Sequence, residues 1–214
     1  GNIININLRD IYDAQFPDAL DSYEIVFTFD SSCVAGSTTV SASVLTGSWP
    51  ELITTNIKLD VRGLILGKGG DGSSGAGGLA LELNDDIDLI NTGVIGGGGG
   101  GGGAANDSSG SDITVAAGGG GAGYENGRAG TPSFSKFGYA TQATSGTNKI
   151  GGIGGYATSG STEAQAGNGG DLGDAGTDGF PAVGVAGLAG AAIKLNGYTI
   201  TYINTGTILG NIIS

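Results

Sequence analysis

The sequence contains no histidine and a single cysteine, Cys33. Without an imidazole there is no Ser/His/Asp triad, no Cys/His pair and no histidine-built metal site. One cysteine cannot close a disulfide within the chain, and Cys33 reads as a small apolar core residue. Positive charge is scarce: 8 Lys and Arg stand against 20 Asp and Glu, for a formal net charge of −12. Nucleic acid is therefore not an expected partner, because phosphate binding requires a basic footprint. No apolar run reaches the roughly 18 residues of a membrane-spanning helix, so no membrane insertion is expected. The first ten residues do not have the basic-then-apolar form of a signal peptide. Proline occurs at four positions, too few for a collagen triple helix. Helical periodicity is missing from every window, and no cofactor is expected.

What is present is glycine, at 47 of 214 residues, roughly three times average usage. A flexible linker of that composition would lack the Ile, Val and Leu blocks that flank these glycines. Residues 1–66 read as β structure. Ile4 to Leu8 and Asn56 to Arg62 alternate strictly, and Tyr23 to Phe29 is a β-branched and aromatic run. A unit then recurs: IKLDVRGLILG from Ile57, IDLINTGVIG from Ile87 and ITYINTGTILG from Ile200. Each is a strand, a turn centred on Gly63, Gly93 or Gly206, and a second short apolar segment. Recurrence of one supersecondary unit predicts a stacked β layer. Turns of this kind use glycine for its freedom at positive φ.

The first two copies run into glycine tracts. Glycine falls every third residue at Gly69, Gly72, Gly75 and Gly78, at Gly170 through Gly179 and at Gly184 through Gly190, and Gly96 to Gly103 is uninterrupted. Period three is that of an extended three-fold helix without internal hydrogen bonds, at about 3.1 Å per residue. Several such strands side by side can bond to one another only if no Cβ holds them apart. The expected fold class is all-β with irregular extended structure: a β-rich base (1–66), a polyglycine II bundle with inserted loops (67–190) and a β segment returning to the base (191–214). Phe180 to Val183 reads as a chain reversal.

The segment STTVSASVLTGSWP (Ser37 to Pro50), followed by units ending in LILGKGGDG and VIGGGGGGGG, resembles the glycine-rich receptor-binding tips of bacteriophage tail fibres. These include the C-terminal tips of siphophage host-specificity proteins and, in the glycine-rich part, the fibre-tip adhesins of T-even-like phages. The resemblance implies a virion adhesin at the distal end of the tail or tail fibre. It also implies loops on a rigid bundle that meet a bacterial outer-membrane protein or lipopolysaccharide, with the remainder of the fibre as a second partner. Monomer and homotrimer both stay open. An ice-binding or purely structural protein is the alternative; it would show a regular flat face of small residues.

No aromatic residue lies between Trp49 and Tyr124, whereas Tyr124, Phe134, Phe137, Tyr139 and Tyr156 follow closely. Between Tyr124 and Ile150, Arg128, Lys136 and Lys149 face only Glu125, a cationic stretch in an acidic chain. Aromatic rings anchor interfaces at low entropic cost, and Arg and Lys suit phosphates and acidic loops. Expected receptor contacts are therefore Tyr124, Asn126, Arg128, Phe134, Lys136, Phe137, Tyr139 and Tyr156. Trp49 reads as structural. Asp85, Asp86 and Asp88 read as a solvated strand edge. Asp171, Asp174 and Asp178 do not match a calcium-binding repeat. With neither triad nor carboxylate constellation, no enzyme is expected.

Overall fold

The alternating runs stack as coils of a three-faced parallel solenoid, and the glycine tracts leave it sideways as a bundle. The computed structural model describes residues 1–17, 24–49, 56–109, 112–134, 139–159, 162–181 and 184–214. A first, incomplete coil holds β1 (Asn2–Ile4), β2 (Ile6–Asn7) and a helix, α1 (Leu8–Gln15). The second holds β3 (Glu24–Phe29), β4 (Val34–Gly36) and β5 (Val44–Leu45), and the third β6 (Asn56–Val61), β7 (Leu64–Leu66) and β8 (Leu81–Glu82). The fourth opens with β9 (Ile87–Asn91) and β10 (Val94–Gly96). A long excursion follows, carrying β11 (Ala105–Ser109), β12 (Asp112–Ala116), β13 (Ser133–Phe134), β14 (Tyr139–Ala140), β15 (Tyr156–Ser159) and β16 (Thr162–Gln165). The chain then returns as β17 (Ile193–Lys194), and β18 (Ile200–Asn204), β19 (Thr207–Leu209) and β20 (Ile212–Ile213) form the last coil.

The faces are β3-β6-β9-β18, β1-β4-β7-β10-β19 and β2-β5-β8-β17-β20, every pairing parallel. Period-two alternation keeps one side of each strand inside. Ile57, Leu59 and Val61 therefore stack on Ile87 and Leu89, with Ile65 and Ile95 from the second face and Val44, Leu81 and Ile193 from the third, all buried. The recurring unit is one corner of this coil, and β3–β4 is a further copy that sequence similarity did not reveal. Leu81–Gly96, inside the stretch expected to be bundle, lies in the solenoid, because its apolar alternation needs the solenoid core.

At the corner, Asn91 Oδ1 accepts from Gly93 N–H at 3.0 Å and Asn204 Oδ1 from Gly206 N–H at 3.1 Å. These are Asx turns. The glycine requirement differs from the expectation, however. Gly206 has φ +49°, but Gly63 and Gly93 do not sit at positive φ. A Cβ on Gly93 would lie 2.0 Å from Gly63 O, and one on Gly63 would lie 2.3 Å from Cys33 O. Close stacking of coils, not turn conformation, demands glycine there.

The helix is the element missed in residues 1–66. Asn7 caps it by accepting from Arg9 N–H at 3.0 Å. Leu8 is buried and Tyr12, one turn on, packs with its ring centroid 5.2 Å from that of Trp49. Trp49 donates to Thr46 O at 3.0 Å and is covered by the Arg9 guanidinium at 4.8 Å, a structural role.

In the bundle, Gly96–Gly103 donates in three directions, at 2.7–3.0 Å: Gly97, Gly100 and Gly103 to Leu209, Asp174 and Thr177; Gly98 and Gly101 to Gly78 and Gly75; Gly99 and Gly102 to Ala122 and Gly119. It accepts from three others, through Gly67, Gly70 and Ser73, through Gly173, Gly170 and Gly167, and through Gly190 and Gly187. A strand surrounded by six bonded neighbours is the hexagonal lattice of polyglycine II. Segment 118–123 is a second such centre, bonded to 67–73, 96–103, 166–171, 151–155, 144–147 and 127–130. Three layers result. The upper contains 75–79, 67–73 and 127–130. The middle contains 184–190, 96–103, 118–123 and 144–147. The lower contains 174–179, 166–171 and 151–155. A Cβ on Gly98 would lie 1.8 Å from Lys68 O and one on Gly100 1.9 Å from Gly187 O, so only glycine fits.

Perimeter segments lack neighbours on their outer side, and short polar side chains supply the missing acceptors. Asp71 accepts from Arg128 N–H at 2.8 Å, Asp171 from Gly151 at 2.9 Å, Asn168 from Gly154 at 2.9 Å, Asp178 from Ala186 at 2.7 Å and Thr144 from Ile153 at 2.7 Å. Asp171 and Asp178 are thus lattice caps. Among the described residues no group of three or more Asp, Glu, Cys or His side chains is placed to hold a metal.

Candidate functional site

The longer excursions from the bundle at its end away from the solenoid carry β segments. Gly103 leads into β11 and β12 returns to Gly118; Gly155 leads into β15 and β16 returns to Ala166. Two small antiparallel sheets, β11-β12-β13 and β14-β15-β16, form a head there. Their shared core is alanine: Ala105, Ala116, Ala157, Ala164 and Ala166, with Ala140 at its edge. Such a core supplies little apolar area, so the hairpins' backbone bonds and the lattice beneath hold the head in place.

With Ala140, Ala157 and Ala164 inward, alternation turns Tyr139, Tyr156, Thr158, Glu163 and Gln165 outward. Tyr139 is 65% exposed. The Tyr156 phenol bonds to Glu163, and that bond, with burial and the carboxylate's charge, raises its pKa above the usual tyrosine value. Phe180 is tied alongside by reciprocal backbone bonds with Gln165, both 2.7 Å, and is 77% exposed. The surface is a rigid aromatic patch with polar edges. Phe180 was not among the residues expected from sequence; an isolated aromatic between two period-three glycine runs was its one signal.

The eight expected contact residues do not form one cluster. Tyr139 and Tyr156 lie on the head. Phe134 pairs through its backbone with Thr114 in β13, also on the head. Lys136 and Phe137 lie outside the described residues. Tyr124, Asn126 and Arg128 sit nearer the solenoid. The Tyr124 ring covers Gly36, where a Cβ would fall 1.9 Å from the ring, and packs against buried Leu66, Ala122 and Leu172. That apolar cluster joins solenoid and bundle. Asn126 and Arg128 are exposed on the upper layer and line a polar cleft of about 170 Å3 with Lys68, Asp71 and Glu125. The stretch Tyr124–Ile150 is therefore not a single loop: 127–130 and 144–147 are lattice members that use few glycines, because each lies on the perimeter.

A second exposed surface is the open end of the solenoid. Core-facing Leu89 and Ile193 are fully buried, whereas their successors in register, Tyr202 and Ile212, are 42% and 44% exposed. Ile203 and Ile213 are exposed beside them, and among the described residues one edge of β18, β19 and β20 has no partner strand.

A family model described as phage tail fibre adhesin Gp38 matches residues 1–213. No curated protein sequence matches. Among solved structures, the gp37-gp38 adhesin tip complex of the bacteriophage S16 long tail fibre is similar, with 23% identity and a TM-score of 0.62 over 100% of this chain and 79% of that one. At that identity the likeness is one of fold.

Proposed function

The chain belongs to the family of phage tail fibre adhesins, virion proteins of the fibre's distal end, and we propose that its head binds a receptor on the bacterial surface. The receptor class we assign is an outer-membrane protein or lipopolysaccharide. The observation that carries the assignment is the outward patch of Tyr139, Tyr156 and Phe180 on a head held by a hydrogen-bonded lattice. Aromatic side chains bring large contact area for few torsions. A scaffold that does not reorganise spares the ordering cost that erodes affinity. The role is binding rather than catalysis, in keeping with the family.

The open last coil of the solenoid supports attachment to the remainder of the fibre. Three parallel strand edges around an open apolar core, with Tyr202 and Ile212 half exposed, match the end of a three-fold partner better than solvent.

The test is binding of the purified chain to a panel of Gram-negative strains. Tyr139→Ala/Phe180→Ala should fold normally and lose tenfold or more in apparent affinity, since each buried aromatic anchor contributes more than about 1 kcal/mol. Wild type that binds no strain would remove the adhesin reading. Undiminished binding by the double variant would move the contact surface off the head.

A further inference from the structure

We infer that the cleft on the upper layer of the bundle is a subsite for an anionic saccharide, a sugar ring carrying a phosphate or carboxylate. The inference deepens the adhesin reading by naming a second, lateral contact and its chemistry. The cleft is built by the lattice rather than by a loop. Gly69 N–H donates to Glu125 O at 3.0 Å, Gly72 N–H to Arg128 O at 2.7 Å, and Arg128 N–H to Asp71 Oδ1 at 2.8 Å. The backbone under both walls is therefore fixed before any ligand arrives, and the side chains above it diverge around an opening of about 170 Å3, the scale of one sugar ring.

Charge points to the ligand. The chain has an acidic excess of twelve, so a cation finds an acid easily. Arg9, Lys58, Arg62, Lys68 and Lys194 each do, at 2.5–3.6 Å. Among the described residues Arg128 and Lys149 form no ion pair, Arg128 although Glu125 lines the same cleft. An exposed guanidinium left open beside polar groups offers a planar fork for phosphate or carboxylate. Lys68 is already 3.6 Å from Asp71 across the cleft, which leaves Arg128 as the open cation there. Glu125 and Asp71 accept hydrogen bonds from hydroxyls, and the Asn126 amide both donates and accepts. This mixture disfavours a bare polyanion, which the carboxylates repel, and disfavours an apolar group, which has nothing to pack on. It fits a polyol with one anionic substituent.

The experiment is titration of the intact isotopically labelled chain with glucose 1-phosphate, glucuronate, glucose and inorganic phosphate, followed by NMR chemical-shift changes. At least one acidic sugar should saturate in the millimolar range with shifts centred on residues 68–71 and 125–128. Glucose and phosphate alone should bind about tenfold more weakly or not at all. Arg128→Ala should lose about tenfold in affinity, Arg128→Lys less, with thermal stability unchanged in both. Absence of saturable binding by either acidic sugar overturns the inference, as does equal binding of inorganic phosphate or undiminished binding by Arg128→Ala. Cell binding by the same preparation separates the two readings. Cells bound without acidic-sugar binding sink the cleft alone, and acidic-sugar binding without cells bound sinks the adhesin reading alone.

Discussion

Glycine serves two separate purposes in this chain, and only one concerns backbone freedom. At Gly206 the turn needs φ +49°. At Gly93 and at most central bundle positions the need is space, because a neighbouring carbonyl occupies the Cβ position. Gly100→Ala and Gly96→Ala separate the effects of space by neighbour type. A Cβ on Gly100 meets backbone at 1.9 Å, while one on Gly96 meets the Leu172 side chain at 3.2 Å, which can rotate away. Gly100→Ala should cost about 3 kcal/mol or more and Gly96→Ala about 1 kcal/mol or less, as read by chemical denaturation. Equal effects would mean that the lattice is more yielding than its bond network implies. The period-three spacing was visible in the sequence. The function of Asp71, Asp171 and Asp178 was not, because each bonds a backbone group on a different segment.

The elements show where local patterns suffice and where they do not. Strands with strict alternation were legible, since their partners are supplied by identical patterns one coil away. The helix was not: two turns with one buried face, Leu8 and Tyr12, leave too short a period to stand out, although Asn7 marks its start. On the third face, Glu82 of β8 pairs in register with Lys194 of β17 at 3.0 Å, and Asn196 donates to the same oxygen at 2.9 Å. Burial works to raise the Glu82 pKa, but the hydrogen bonds from Asn196 and Lys194 prevail and hold it below its ordinary value. A depressed carboxylate contributes stability that is present above its unfolded pKa and lost as pH falls through the folded one. Melting temperature should therefore decline on acidification below about pH 4.5, and Glu82→Gln should flatten part of that decline. The difference at neutral pH should be about 1 kcal/mol or less for a partly exposed pair. Parallel acid limbs for both proteins would assign the loss to other groups.

As a whole, the molecule joins two unlike parts, a solenoid open at its last coil and a bundle carrying an aromatic head. The open end has a consequence for assembly. Ile212→Asp places a charge where a further coil would stack, but the side chain is 44% exposed in the free chain. Folding should survive with a change within about 1 kcal/mol, while incorporation into phage particles should fail when the variant replaces wild type. Particles that carry Ile212→Asp at the normal level would place the fibre contact elsewhere. The head and the open end are built from different elements, β11–β16 and β18–β20, so variants at one should leave the other's binding intact.

The sequence by itself determined the class of structure. Alternation dictated strands, recurrence of one unit dictated stacking, and period-three glycine dictated a bundle of extended chains, because each pattern expresses a repeating contact that any neighbour of the same kind can satisfy. Tertiary structure alone decided which residues share a surface. Tyr124 lies only 15 positions before Tyr139, yet the lattice segment 127–130 carries the chain from the solenoid joint toward the far end between them. Phe180 reaches the same patch as Tyr139 and Tyr156 from a different tract, through its backbone bonds to Gln165. In a lattice with six neighbours for each central strand, proximity follows the order in which segments are laid down, and that order depends on all ten at once.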